Sequence, residues 1–123
     1  LAAAVAVRGG LGSFASVVGN RFVYMPHDCV VPGAAIAGDI AGLVELCRPH
    51  RLRLAGLVDG YNRVVEPRVA ERAYATARSA YRRADADTRL VLDQADDSPK
   101  RSVEWLLEVL GTQSGSDRQS SRP

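Results

Sequence analysis

Short apolar runs alternate with amphipathic stretches along almost the whole of this chain. The apolar runs are Leu1–Arg8, Arg21–Met25, Leu52–Val58 and Arg89–Leu92, and a stretch of helical character follows each of them. Alternating strands and helices favour an α/β fold, because a helix usually carries the chain back before the next parallel strand. We therefore predict a small three-layer α/β domain with a mostly parallel sheet of three or four strands. The alternative is an all-α helical bundle, in which Leu52–Val58 and Leu90–Leu92 connect neighbouring helices.

Helical periodicity becomes clear at Ala34. The apolar residues of the following stretch form one stripe, which predicts a helix with a buried face and consists of Ile36, Ile40, Leu43, Val44 and Cys47. A shorter helix is predicted over Leu11–Val18. The glycine-rich stretch before it, Arg8–Ser13, has neither the lysine nor the spacing of a phosphate-binding loop, so a flexible connection is favoured there.

The C-terminal half contains the two strongest helix patterns. Residues 67–84 begin with proline, which suits the first turn of a helix, and they place alanines and tyrosines on one arc. The final helix is predicted from Pro99 to Gly111, with Ser98 as its N-cap. We expect a single domain over residues 1–111 and a disordered polar tail over residues 112–123.

Composition excludes several classes of protein. The chain has 123 residues, which suits one domain, and no apolar run approaches the roughly 20 residues that cross a bilayer. Its only cysteines, Cys29 and Cys47, are too few for a disulfide scaffold. We therefore predict a cytoplasmic protein with no membrane partner and two reduced thiols.

Charge is distributed unevenly along the chain. Residues 48–83 contain nine arginines and three acidic residues, whereas residues 85–97 contain five aspartates and one arginine. Five of the arginines share the polar arc of the helix over 67–84: Arg68, Arg72, Arg78, Arg82 and Arg83. Guanidinium groups pair with phosphates, so this arc is a candidate binding face for a phosphate-bearing ligand or nucleic acid. The alternative is a solvated helix face, partly neutralised by acidic residues of the same chain or of a second copy.

Aspartates follow the predicted strands. Asp28 follows the second apolar run, Asp59 the third and Asp93 the fourth, with Asp96 and Asp97 close behind. Carboxylates at neighbouring strand ends can converge on Mg²⁺ or Mn²⁺, which prefer oxygen ligands. If the chain is an enzyme, Asp28, Asp59 and Asp93 are its candidate catalytic residues, and Asp59 and Asp93 its candidate metal ligands. The alternative is that these aspartates close turns by hydrogen bonding to their own backbone.

The stretch Leu57-Val58-Asp59-Gly60-Tyr61-Asn62 resembles the opening motif of NYN-type (PIN-like) ribonucleases. The resemblance implies that Asp59 helps to hold a catalytic metal. In that family the motif normally follows the first strand of the domain, whereas about fifty residues precede it here. Only Asp93, Asp96 or Asp97 could supply the further acidic residues, and the family is not assigned on this basis.

The sequence is compatible with three functions. The preferred one is a small binding domain that engages a phosphate-bearing ligand or nucleic acid through the arginines. The second is a metal-dependent phosphodiesterase or nuclease-like hydrolase, the only one of the three that needs a cofactor, Mg²⁺ or Mn²⁺. The third is a structural or regulatory subunit with a protein partner. A homo-oligomer is compatible with each of them.

Overall fold

The computed structural model describes residues 3–19, 21–23 and 31–120, of which residues 112–120 are described by their backbone alone. A 3₁₀ turn, Asp87–Arg89, precedes the last strand. In chain order the strands and helices are β1 (Ala4–Arg8), α1 (Ala15–Val18), α2 (Asp39–Leu46), β2 (Arg51–Ala55), α3 (Pro67–Ala73), α4 (Ala75–Arg83), β3 (Leu90–Asp93) and α5 (Pro99–Ser120).

The three strands form one parallel sheet with β2 in the centre. Ala4 pairs with Arg51, and Leu52 pairs with Leu90, so the carboxyl ends of all three strands lie at the same edge. The predicted α/β fold is confirmed, and the all-α alternative is wrong because both of its proposed connections contain strands.

The two faces of the sheet are covered by different helices. Leu52 and Leu54 of β2 point into an apolar core formed with α2 and α4, in which Val44, Tyr74 and Tyr81 are buried. The intervening residue, Arg53, points to the other face, where it contacts Ser102 of α5. This alternation within β2 produces the predicted three layers, with helices on either side of the sheet.

Two sequence predictions before residue 40 differ from the structure. Residues 21–23, the described part of the predicted strand Arg21–Met25, are not in a strand, and Phe22 is 78% exposed. Strand propensity alone does not create a strand without a neighbouring strand to pair with. Ile36, placed on the buried stripe, is 93% exposed because α2 begins only at Asp39, after a series of turns.

The predicted helix over residues 67–84 is divided at Tyr74. Pro67 begins α3 as expected, but Tyr74 has φ −102° and ψ 14°, which separates α3 from α4. The phenol of Tyr74 is buried and donates a 2.7 Å hydrogen bond to the carbonyl of Gly12, in the loop after β1. The two helices meet at Tyr74, and this hydrogen bond attaches their junction to the carboxyl edge of the sheet.

The last helix begins where the sequence places it and extends further. Ser98 caps α5, since its hydroxyl accepts a hydrogen bond from the amide of Arg101 at 3.2 Å. The helix does not end at Gly111 but continues to Ser120. The division into a domain over 1–111 and a tail over 112–123 stays a prediction. Within the described residues, no helix is long and apolar enough to span a bilayer.

Candidate nucleic-acid interface

Four of the five predicted arginines lie on the outer surface of α3 and α4. Arg68 and Arg72 are one turn apart on α3, Arg82 and Arg83 end α4, and all four are exposed. We call these four residues the arginine row. Arg82 lies 3.4 Å from Asp87, but both side chains are largely exposed, so the pair is weak. The other three form no ion pair within the described part of the chain.

Arg78, the fifth predicted arginine, is separated from this surface. Its side chain is only 17% exposed and donates 2.7 Å and 3.2 Å hydrogen bonds to the carbonyl of Leu90 and the carboxylate of Glu71. The guanidinium therefore joins α4 to the beginning of β3. The sequence placed Arg78 on the polar arc correctly but could not show that its long side chain turns inward.

A cleft of about 560 Å³ lies against α3, the helix that carries Arg68 and Arg72. One wall of the cleft is α3, which contributes Val69, Ala70 and Ala73. The opposite wall is the segment after β2, residues 57–65. Polar groups line the cleft at Ser13, Ser16, Asp59, Arg63 and Glu66. We call this cavity the α3 cleft.

Gln94 holds the segment that forms the wall opposite α3. The amide of Val65 donates to the carbonyl of Leu57 at 2.8 Å, which folds residues 57–65 back on themselves. The side chain of Gln94 accepts from the amide of Leu57 at 2.8 Å and donates to the carbonyl of Val65 at 2.7 Å. One amide side chain after β3 thus positions both ends of this segment.

Asp59 closes a turn within that segment. Its Oδ1 accepts hydrogen bonds from the amides of Tyr61 and Arg63 at 2.9 and 3.0 Å, and its Oδ2 lies 3.3 Å from the guanidinium of Arg63. The backbone hydrogen bond from Arg63 is the main cause that holds the pKa of Asp59 below its ordinary value. This geometry is the turn-closing role that the sequence left as the alternative to metal binding.

Asp93 forms an ion pair with a buried arginine, Arg53, on the face of the sheet that α5 covers. The Arg53 side chain is 1% exposed, and its Nη2 donates to Oδ2 of Asp93 at 2.9 Å and to the carbonyl of Asp96 at 2.7 Å. Its Nη1 donates to Ser102 at 3.0 Å. Asp93 is therefore the counter-ion of a charge that would otherwise be buried alone. The sequence analysis missed Arg53, although its position between Leu52 and Leu54 was the available signal.

One of the three candidate catalytic aspartates, Asp28, lies outside the described residues. Among the residues that are described, no group of three or more His, Cys, Asp or Glu side chains could hold a metal ion. The metal site proposed from the sequence, with Asp59 and Asp93 as ligands, stays a prediction.

A carboxylate that the sequence did not single out, Asp39, fills the loop after β1. Asp39, at the beginning of α2, accepts hydrogen bonds from the amides of Phe14 and Ala15 at 2.7 and 3.0 Å and from the Ser13 hydroxyl at 2.8 Å. Burial favours the neutral acid, but these bonds together with the one from Ile40 outweigh it and hold the pKa of Asp39 below its ordinary value. An internal carboxylate thus occupies the amides that a phosphate-binding loop would offer.

Comparison with known proteins assigns no family to this chain. No protein-family model, curated protein or solved structure matches it. The likeness of residues 57–62 to NYN-type ribonucleases therefore remains a resemblance of six residues, which follow the central strand β2 here.

Proposed function

We propose that this chain is a nucleic-acid-binding module that contacts the phosphate backbone through the arginine row. The observation that carries the proposal is the exposure of Arg68, Arg72 and Arg83 without acidic partners among the described residues. Cations held in this way can exchange their counterions for phosphates, which is the main source of sequence-independent affinity for nucleic acids.

The dimensions of the row favour a polymer over a small ligand. Arg68 and Arg72 lie on α3, whereas Arg82 and Arg83 lie at the end of α4 beyond the break at Tyr74, so the row extends over two helices. A single phosphate group could contact only one end of it. Successive phosphates of a strand could contact both ends, so we take nucleic acid as the partner.

The other two predicted functions have no specific support in the described residues. In a metal-dependent hydrolase, Asp93 would have to leave Arg53 or share its carboxylate with a cation. A structural subunit with a protein partner and a cytoplasmic location both stay predictions.

The test is the binding of a labelled oligonucleotide, followed by fluorescence anisotropy at about 50 mM salt. We expect the double variant Arg68→Gln/Arg72→Gln to bind about tenfold more weakly than the wild type, because two phosphate contacts are lost. The matched control, Lys100→Gln/Arg101→Gln, removes the same charge from α5 on the other face of the sheet and should bind like the wild type. No binding by the wild type, or equal losses in the two variants, would refute the proposal.

A further inference from the structure

We propose that the α3 cleft receives an unpaired nucleobase, so that this interface prefers single-stranded to duplex nucleic acid. The inference rests on the proposed nucleic-acid binding and specifies the form of nucleic acid that is bound.

Helix α3 carries two arginines of the row and also forms one wall of the cleft. Arg68 and Arg72 are exposed on α3, while Val69, Ala70 and Ala73 of the same helix line the cleft. A strand whose phosphates contact these arginines therefore lies against the helix that forms one wall of the cleft. The volume of the cleft, about 560 Å³, lies within the range of roughly 300–1,000 Å³ that is typical of ligand pockets.

The charged side chains that line the cleft are Asp59, Glu66 and Arg63, so the cleft has one net negative charge, whereas the row is positive. Asp59 and Glu66 line the cleft, and the carboxylate of Glu66 has no partner among the described residues. Carboxylates repel phosphates but accept hydrogen bonds from the amino groups of bases. The phosphates are thus directed to the row and the base to the cleft, and bases with an exocyclic amino group are favoured.

Arg63 and Tyr61 form a stacking surface at the cleft. The guanidinium of Arg63, which lines the cleft, lies over the ring of Tyr61 at 4.6 Å from its centroid. The Arg63 side chain is 70% exposed, so the pair presents a planar group to solvent. Unpaired bases stack on arginine planes and on aromatic rings in many single-strand binding proteins. In a duplex the bases are stacked on one another, and one would have to leave the helix to reach the cleft.

The experiment compares a labelled single strand of about 12 nucleotides, rich in adenine and cytosine, with its duplex at the same low salt concentration. We expect the wild type to bind the single strand at least tenfold more tightly. Tyr61→Ala should weaken single-strand binding about tenfold and leave duplex binding unchanged, because only the stacking contact is lost.

A second variant tests the cavity itself. Ala73→Leu narrows the cleft without changing charge and should also weaken only single-strand binding. Ala95→Leu, the same change at an exposed residue that does not line the cleft, is the matched control, and circular dichroism checks that each variant is folded. Equal binding of single strand and duplex by the wild type, or equal losses for both ligands in Tyr61→Ala and Ala73→Leu, would overturn the inference while the proposed function stands. If the wild type binds neither ligand, the proposed function itself fails.

Discussion

Two groups of arginines in this small domain have opposite environments. Arg53 is buried under α5, where a carboxylate, a carbonyl and a hydroxyl accept its hydrogen bonds. Arg68, Arg72 and Arg83 lie on the opposite layer, exposed and without acidic partners among the described residues. The same side chain thus contributes to folding in one place and is available for a ligand in the other. A count of positive charge in the sequence does not distinguish these two roles.

The largest predicted effect comes from separating the buried arginine from its counter-ion. Asp93→Ala should lower the free energy of unfolding by about 3 kcal/mol, because Arg53 would keep its charge in a buried position. Asp87→Ala removes the partner of exposed Arg82 and should change stability by less than about 0.5 kcal/mol. Urea denaturation at neutral pH measures both values. Equal stability of the two variants would show that the Arg53 network does not stabilise the fold.

A smaller effect on the free energy of unfolding is expected from the hydroxyl groups of two tyrosines in the apolar core. Tyr74 and Tyr81 are both buried, but Tyr74 donates to the carbonyl of Gly12, whereas the hydroxyl of Tyr81 has no partner among the described residues. Burial raises the pKa of Tyr74 to about 12, so its phenol stays a donor at neutral pH. Tyr74→Phe should lower the free energy of unfolding by about 1 kcal/mol.

Tyr81→Phe is the matched variant and should leave stability unchanged or raise it, because no hydrogen bond is lost. Thermal denaturation of the two proteins gives the comparison. A larger loss in Tyr81→Phe than in Tyr74→Phe would contradict the assignment of these two hydroxyls.

The smallest effect depends on pH. The folded-state pKa of Asp39 lies below its ordinary value of 3.8, because the hydrogen bonds it accepts outweigh the opposing effect of burial. Its stabilisation is therefore fully present above pH 3.8 and is lost as the pH falls through the folded-state pKa. We expect Asp39→Asn to be about 1 kcal/mol less stable than the wild type at neutral pH and nearly equal to it in acid.

Asp85→Asn is the control, because it makes the same substitution at another residue with a positive φ. Both aspartates have positive φ, 55° for Asp39 and 56° for Asp85, and asparagine tolerates this conformation. The control should match the wild type at neutral pH. A stability difference for Asp39→Asn that persists in acid would show that its carboxylate charge is not responsible.

Periodicity predicted the layers of the fold better than it predicted the site. Three of the four apolar runs became β1, β2 and β3, and each of these strands pairs with another strand in the sheet. The run around Phe22 is also apolar and prone to form strands, yet residues 21–23 are not in a strand. Pairing with a neighbouring strand cannot be deduced from a single segment. The site depends on contacts across long sequence separations, such as Gln94 with Leu57, which leave no local signal.

The arginine face shows the same limit at the level of single side chains. Helical spacing placed Arg72 and Arg78 on one arc, but only the folded structure shows Arg78 bonded to the carbonyl of Leu90. The α3 cleft was not predicted at all, because the wall opposite α3 is shaped by Gln94, which bonds to both ends of residues 57–65, and by the turn at Asp59.

The salt dependence of binding tests the proposed role of the arginine row most directly. The affinity for a labelled single strand is measured over a range of salt concentrations for the wild type and for Arg68→Gln/Arg72→Gln. We expect the wild-type affinity to fall steeply with salt, and the slope of log K against log salt to become shallower by about 1.4 in the variant. A slope that is the same in both proteins, or a wild-type affinity that does not depend on salt, would contradict phosphate binding by these arginines.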